Sequence, residues 1–98
     1  MFVGTLTVDL LLGDVRSLKQ KRSLVRPVVA ELRRRFDVSC AETGHLDLHR
    51  RAEVGVAVVA ADAGHCTDVL HACERLVAAR PELELLSVRH RLWDDEDD

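Results

Sequence analysis

The stretch FVGTLTVDLLL, residues 2–12, alternates two kinds of side chain with the period of two that a β-strand requires. One alternating set of residues (one parity) is apolar, and the other parity also contains threonine and aspartate. The apolar parity comprises Phe2, Leu6, Val8, Leu10 and Leu12, and the mixed parity comprises Val3, Thr5, Thr7, Asp9 and Leu11. The stretch therefore predicts a first strand with one face on a hydrophobic core.

A basic amphipathic helix is predicted next. Ser17 and Gln20 have the spacing of a capping box, in which a serine caps the helix and a glutamine three residues later reaches back. A helical stripe of apolar residues then continues to about Arg35. Pro27 lies inside this pattern and lacks an amide proton, so we expect a kink or a helix that starts only near Ser23.

The remaining chain is predicted to form two strands, a helix and a last strand. Residues 38–44 and the valine-rich residues 52–61 form a predicted antiparallel hairpin. Asp62 can cap a second helix, which Arg80 and Pro81 end. In the last strand, residues 83–93, we expect one parity to carry Leu86, Val88, His90 and Leu92.

This order of elements predicts one fold. Two right-handed strand-helix-strand crossovers close into a four-stranded antiparallel sheet with strands one and three in the centre and both helices on one face. We therefore expect an α+β, ferredoxin-like βαββαβ domain over residues 1–93. Residues 94–98, all acidic, are expected to form a disordered tail.

The face of the sheet opposite the helices is expected to be small and weakly polar. Its central strands should carry Val3, Thr5 and Thr7, together with Gly55, Ala57 and Val59 or the even-numbered neighbours of these three. RNA-binding sheets stack bases on aromatic side chains, and the chain has only Phe2, Phe36 and Trp93. We therefore expect a homodimer interface on this face rather than an RNA-stacking platform.

Length and composition limit the number of domains and the kind of protein that the chain can form. A chain of 98 residues with 47% hydrophobic and 32% charged residues has room for one core. Residues 1–51 carry a net charge of +4 and residues 52–98 carry −7, with the acidic end contributing most of the latter. No apolar run approaches the roughly 18 residues of a membrane span, so we expect a cytoplasmic protein without membrane contact.

The cysteines and histidines indicate neither disulfides nor a metal. Cys40, Cys66 and Cys73 are odd in number and lack CxxC spacing, so reduced core thiols are expected. His45 and His49 have i,i+4 spacing but lie in the predicted hairpin. No metal or cofactor is predicted.

The strongest local feature is the basic segment at the start of helix one. Clustered cations beside free helix amides suit a phosphate-rich partner, although a solvated helix face is the simpler alternative. The predicted RNA- or phosphate-binding residues are Arg16, Lys19, Lys21, Arg22 and Arg26, with Arg51 of the hairpin assisting.

No constellation for catalysis is recognisable. The sequence has no GxGxxG or Walker pattern, and no nucleophile, base and orienting group occur together. Acylphosphatases share the topology but use an asparagine, which this chain lacks. We therefore expect a protein that is not an enzyme.

Several segments together resemble the YlxP family, a bacterial family of unknown function. They are SLKQKR at residues 17–22, Pro27, Arg35-Phe36, Val38-Ser39, Ala41-Glu42 and RAEVG at residues 51–55. The resemblance implies a ferredoxin-like fold. Family members are typically encoded among translation genes beside ribosome-binding factor A, which implies work on the small ribosomal subunit or its RNA. The alternative is an ACT-like small-molecule-binding or homodimerisation domain, with ligand near Gly13 and Asp14.

Overall fold

A computed structural model describes residues 1–96 of the protein and contains six elements. They are β1 (Phe2–Leu12), α1 (Leu18–Arg35), β2 (Ser39–Gly44), β3 (Arg51–Ala60), α2 (Ala63–Ala78) and β4 (Leu83–Asp94). All strand pairs are antiparallel, in the order β2-β3-β1-β4. The predicted α+β, ferredoxin-like βαββαβ fold with strands one and three in the centre is confirmed.

The core lies between the sheet and the two helices. The even-numbered residues of β1 from Leu6 to Leu12 are fully buried, as the alternation predicted. α2 packs so closely on β1 that a Cβ at Gly4 would lie 2.9 Å from Cδ1 of Leu70 and 3.2 Å from Cβ of Cys66. Glycine at position 4 therefore sets the depth at which α2 sits on the sheet.

The start of α1 follows from its capping residues. Ser17 Oγ accepts a hydrogen bond from the Gln20 amide at 3.0 Å, and Gln20 Oε1 accepts one from the Arg16 amide at 2.9 Å. The expected later start near Ser23 is wrong, because α1 begins at Leu18 and runs through Pro27. Pro27 has no amide proton to donate to the Ser23 carbonyl, and both residues are exposed.

A β-bulge in β4 changes the predicted side-chain pattern. Leu85 pairs with Leu10 and Ser87 pairs with Asp9, which leaves Leu86 as an extra residue between them. The expectation that Leu86 shares the face of Val88 is therefore wrong, and Leu85 takes that place over the core. Leu86 is 44% exposed.

The C-terminal end of the described chain is acidic. β4 includes Asp94, which pairs with Phe2. The Asp95 carboxylate lies 2.7 Å from the terminal amine, and this hydrogen bond raises the pKa of the amine. The rest of the acidic segment, residues 97–98, lies outside the described residues. Between residues 1 and 96, neither helix combines the length and apolar character needed to cross a membrane.

Candidate nucleic-acid interface

Three of the predicted cationic residues line one groove on the outer face of α1. Lys19, Arg22 and Arg26 border a hollow of about 530 Å³, which is completed by Ser23, Pro27 and Ala30. No carboxylate lines the groove among residues 1–96. The groove therefore presents cations beside uncharged side chains.

Helix geometry explains why these residues share a face. Spacings of three and four residues place Lys19, Arg22 and Arg26 on adjacent turns of α1. The apolar stripe of Val25, Val28 and Leu32 faces the sheet, so the cationic residues point to solvent. Within the described part of the chain none of the three forms an ion pair.

Arg16 lies just before α1 and is highly exposed. Its Nε atom lies 3.4 Å from Asp14 Oδ1, and both side chains are 82% accessible. Such a pair is weak and exchanges readily with water or with another anion. Arg16 thus remains available at the entrance of the helix.

Lys21 is not an exposed cation, which corrects its predicted role in phosphate binding. Its side chain is 2% accessible, and Nζ donates a 2.6 Å hydrogen bond to the His45 carbonyl. Nζ also forms an ion pair with Glu42, at 2.8 Å from Oε1. Lys21 therefore connects α1 to the end of β2 and does not belong to the cationic surface.

Arg51 lies on the other side of the sheet from α1, which corrects its predicted role in extending the patch. Its Nη2 donates a 2.5 Å hydrogen bond to Asp9 Oδ2 across β3 and β1. Neighbours Ala52 and Val54 are buried under the helices, so strand alternation directs Arg51 to the opposite face. The sheet separates Arg51 from the groove of α1.

A polar cluster that the sequence did not reveal surrounds the end of β2. His45 has a left-handed φ of 57°, and its Nε2 lies 3.5 Å from Asp9 Oδ1. Its carbonyl accepts from Lys21, so one residue connects the helix side and the open side of the sheet. The buried Asp9 Oδ1 and Arg51 Nε atoms lack a hydrogen-bond partner within the described chain.

The open face of the sheet is weakly polar only at its centre. Thr5, Thr7, Gly55 and Ala57 line a shallow hollow of about 410 Å³, as the alternation predicted. Charged side chains border this centre, and the prediction of a small, weakly polar face did not include them. They are Asp9, Arg51, Glu53, Arg89 and Arg91.

The turn after β1 is held by an arginine of the hairpin. Arg50 Nε donates to the Gly13 carbonyl at 2.8 Å and to the Leu12 carbonyl at 3.2 Å. A hollow of about 210 Å³ adjoins this turn. Ligand binding near Gly13 and Asp14 stays a prediction.

The three thiols lie in the core. Cys40, Cys66 and Cys73 are free and buried. Burial raises the pKa of Cys40 and raises the pKa of Cys73 to about 11. Because the thiolate is the reactive form, the raised pKa makes Cys40 and Cys73 poor nucleophiles. No group of three potential metal ligands occurs between residues 1 and 96.

Comparison with known proteins agrees with the resemblance inferred from the sequence. The chain is similar to the "Uncharacterized protein YlxP" of Bacillus subtilis (strain 168), with 26% identity over 82 residues that cover 84% of this chain and 89% of the relative. The family model described as "Protein of unknown function (DUF503)" matches residues 3–90, from β1 into β4. Since that match spans most of the chain, the protein belongs to the DUF503 family.

Proposed function

We propose that this protein is a non-enzymatic RNA-binding factor that contacts the phosphate backbone, with the small ribosomal subunit as its expected target. The groove of Lys19, Arg22 and Arg26 is the observation that carries the proposal. The other two cations predicted for this role are committed to partners, Lys21 to Glu42 and Arg51 to Asp9. Since the groove cations form no ion pair within residues 1–96, they can bind a ligand of opposite charge.

The dimensions of the groove suit a nucleic-acid strand. Lys19 and Arg26 are seven residues apart, which is a rise of about 10 Å along a helix. The three cations spread over this length can each neutralise one phosphate of a nucleic-acid strand. Arg16 extends the positive surface by a further turn at the start of α1.

The acidic end of the chain lies away from this surface. α1 contacts β2, whereas Asp94 ends β4, at the opposite edge of the sheet, and Asp95 and Glu96 come directly after it. The described acidic residues therefore leave the groove open. A contact made mainly to phosphates binds many sequences alike and weakens as salt rises.

Charge reversal in the groove tests the proposal. Arg22→Glu should weaken binding to a labelled single-stranded RNA, and the slope of log affinity against log salt should fall by about 0.7 for each phosphate that the variant no longer neutralises. Fluorescence anisotropy at several salt concentrations measures both quantities. Arg75→Glu, an exposed arginine of α2, is the matched control and should leave the affinity nearly unchanged.

Sedimentation with small ribosomal subunits then tests the target. Wild-type protein and Arg75→Glu should co-sediment at low salt, and Arg22→Glu should not. Equal loss of binding in both variants would show a general charge effect and contradict a groove site. RNA binding without sedimentation would keep the groove and exclude the ribosomal target.

A further inference from the structure

β4 is a long edge strand with apolar side chains in solvent. It pairs with β1 on one side and, within residues 1–96, with no strand on the other. Leu92 and Trp93 are 46% and 45% exposed. An exposed apolar edge offers unpaired backbone groups to another strand. The charges along β4 indicate which strand fits.

The free edge is complementary to itself. Arg89, His90 and Arg91 form a basic triplet, and Asp94, Asp95 and Glu96 form an acidic triplet. Leu92 and Trp93 lie between them. When two copies of such a segment run antiparallel, basic residues of each copy can lie opposite acidic residues of the other.

We propose that two copies of this chain pair antiparallel through β4, with the two-fold axis at Leu92. Leu92 then packs against its own copy, and Arg91 lies opposite Trp93 of the second molecule, where a cation–π contact can form. His90 lies opposite Asp94. Because His90 already contacts Glu74 at 2.6 Å, its pairing adds less than that of Arg91 with Trp93.

The backbone of β4 is oriented for this pairing. The Asp95 amide donates to the Met1 carbonyl at 3.0 Å, which shows that odd-numbered residues here direct their backbone groups toward β1. The Leu12 amide donates instead to the Arg50 carbonyl, so the backbone groups of the even-numbered residues of β1 point toward β3. The backbone groups of His90, Leu92 and Asp94 therefore point to the free edge. With the two-fold axis at Leu92, His90 of each copy pairs with Asp94 of the other, and the two copies of Leu92 pair with each other.

Other registers of the same strand are less favourable. The bulge at Leu86 limits the straight part of β4 to residues 87–94. A two-fold axis at Arg89, His90 or Arg91 places arginine opposite arginine, which is destabilising. An axis at Trp93 places Leu92 opposite the Asp94 carboxylate and, within β4, pairs only residues 92–94, compared with residues 90–94 for the axis at Leu92. The register centred on Leu92 avoids both faults.

This dimer has a continuous eight-stranded sheet with all four helices on one face. α1 lies over the β2 side of each sheet, far from the shared edge, so both cationic grooves stay open. The inference is therefore independent of RNA binding. It also moves the expected homodimer interface from the open face of the sheet to its edge.

A crosslinking pair tests the register. Residues at position 92 of the two molecules form a hydrogen-bonded pair with Cα atoms about 5.5 Å apart, within reach of a disulfide. Leu86→Cys is the matched control, because the same register separates the two copies of position 86 by about 40 Å. Under mild oxidation, Leu92→Cys should give mainly covalent dimer and Leu86→Cys mainly monomer. The native cysteines are buried and do not compete.

Sedimentation velocity of variants without new thiols gives a second measurement. Wild-type protein should show a monomer–dimer equilibrium, which Leu92→Asp abolishes and Leu86→Asp leaves in place. A wild-type chain that stays monomeric as its concentration rises would overturn the proposal. Equal crosslinking at positions 86 and 92, or a dimer unaffected by Leu92→Asp, would overturn it as well.

Discussion

At the scale of single residues, the buried Lys21 has the largest expected effect on stability. It bonds the His45 carbonyl and pairs with Glu42, whose side chain is itself mostly buried. Lys21→Met removes the cation and leaves both acceptors without it. Because Glu42 keeps some contact with water, we expect a loss of about 2 to 3 kcal/mol in the free energy of unfolding, measured by urea denaturation.

A second variant separates the effect of the ion pair from that of packing. Lys21→Met combined with Glu42→Leu removes both charges, so it should recover part of the stability that the single variant loses. Arg22→Met, on the exposed neighbour, is the control and should change stability by less than about 0.5 kcal/mol. If Lys21→Met left the free energy of unfolding unchanged, this would contradict a stabilising role for the contacts of Lys21 with Glu42 and His45.

Residue-level prediction failed where charge was taken as a sign of exposure. Lys21 follows Leu18 by three residues and precedes Val25 by four, so its position belongs to the buried stripe of α1. Arg51 likewise has the parity of β3 that faces away from the helices. The periodicity of the sequence was therefore sufficient to predict the burial of Lys21 and the side of the sheet on which Arg51 lies. The partners of these residues, Glu42 and Asp9, come from distant segments and could not be read from the sequence.

At the scale of elements, α1 contains a proline that is expected to destabilise it. Pro27 is exposed in the middle of α1, where proline costs up to about 3 kcal/mol relative to alanine. Pro27→Ala should therefore raise the free energy of unfolding by about 1 to 3 kcal/mol, observed as a higher midpoint of thermal unfolding. Ala30→Pro, in the same groove, should lower it. A less stable Pro27→Ala variant would show that the ring makes contacts that offset its helical cost.

Element boundaries were predicted well where periodicity and capping agree. Ser17 and Asp62 cap α1 and α2 as expected, and β3 begins one residue before its predicted start. The bulge at Leu86 was missed, because two adjacent leucines fit either parity of a strand. Pairing with Asp9 and Leu10 of β1 decides which leucine faces the core, and that pairing is a tertiary property.

At the scale of the whole molecule, the fold places its two proposed contact surfaces at opposite edges. The groove lies on α1 above β2, and the self-complementary edge lies on β4. Since the central strands β3 and β1 separate them, Arg22→Glu should leave dimerisation intact and Leu92→Asp should leave the groove intact. Failure of one proposal therefore leaves the other standing.

Global unfolding exposes the buried thiol of Cys73, which links stability to alkaline pH. The pKa of Cys73 rises from an ordinary value of 9.0 to about 11 in the folded protein because the thiol is buried. Below about pH 9 the thiol is neutral in both states, whereas between about pH 9 and 11 the unfolded chain releases a proton that the folded chain retains. The free energy of unfolding should therefore fall as pH rises through this range. Urea denaturation at about pH 8 and about pH 10.5 measures the fall. Cys73→Ala should show a smaller fall, although its stability is lower throughout, and equal falls in both proteins would exclude Cys73 as the cause.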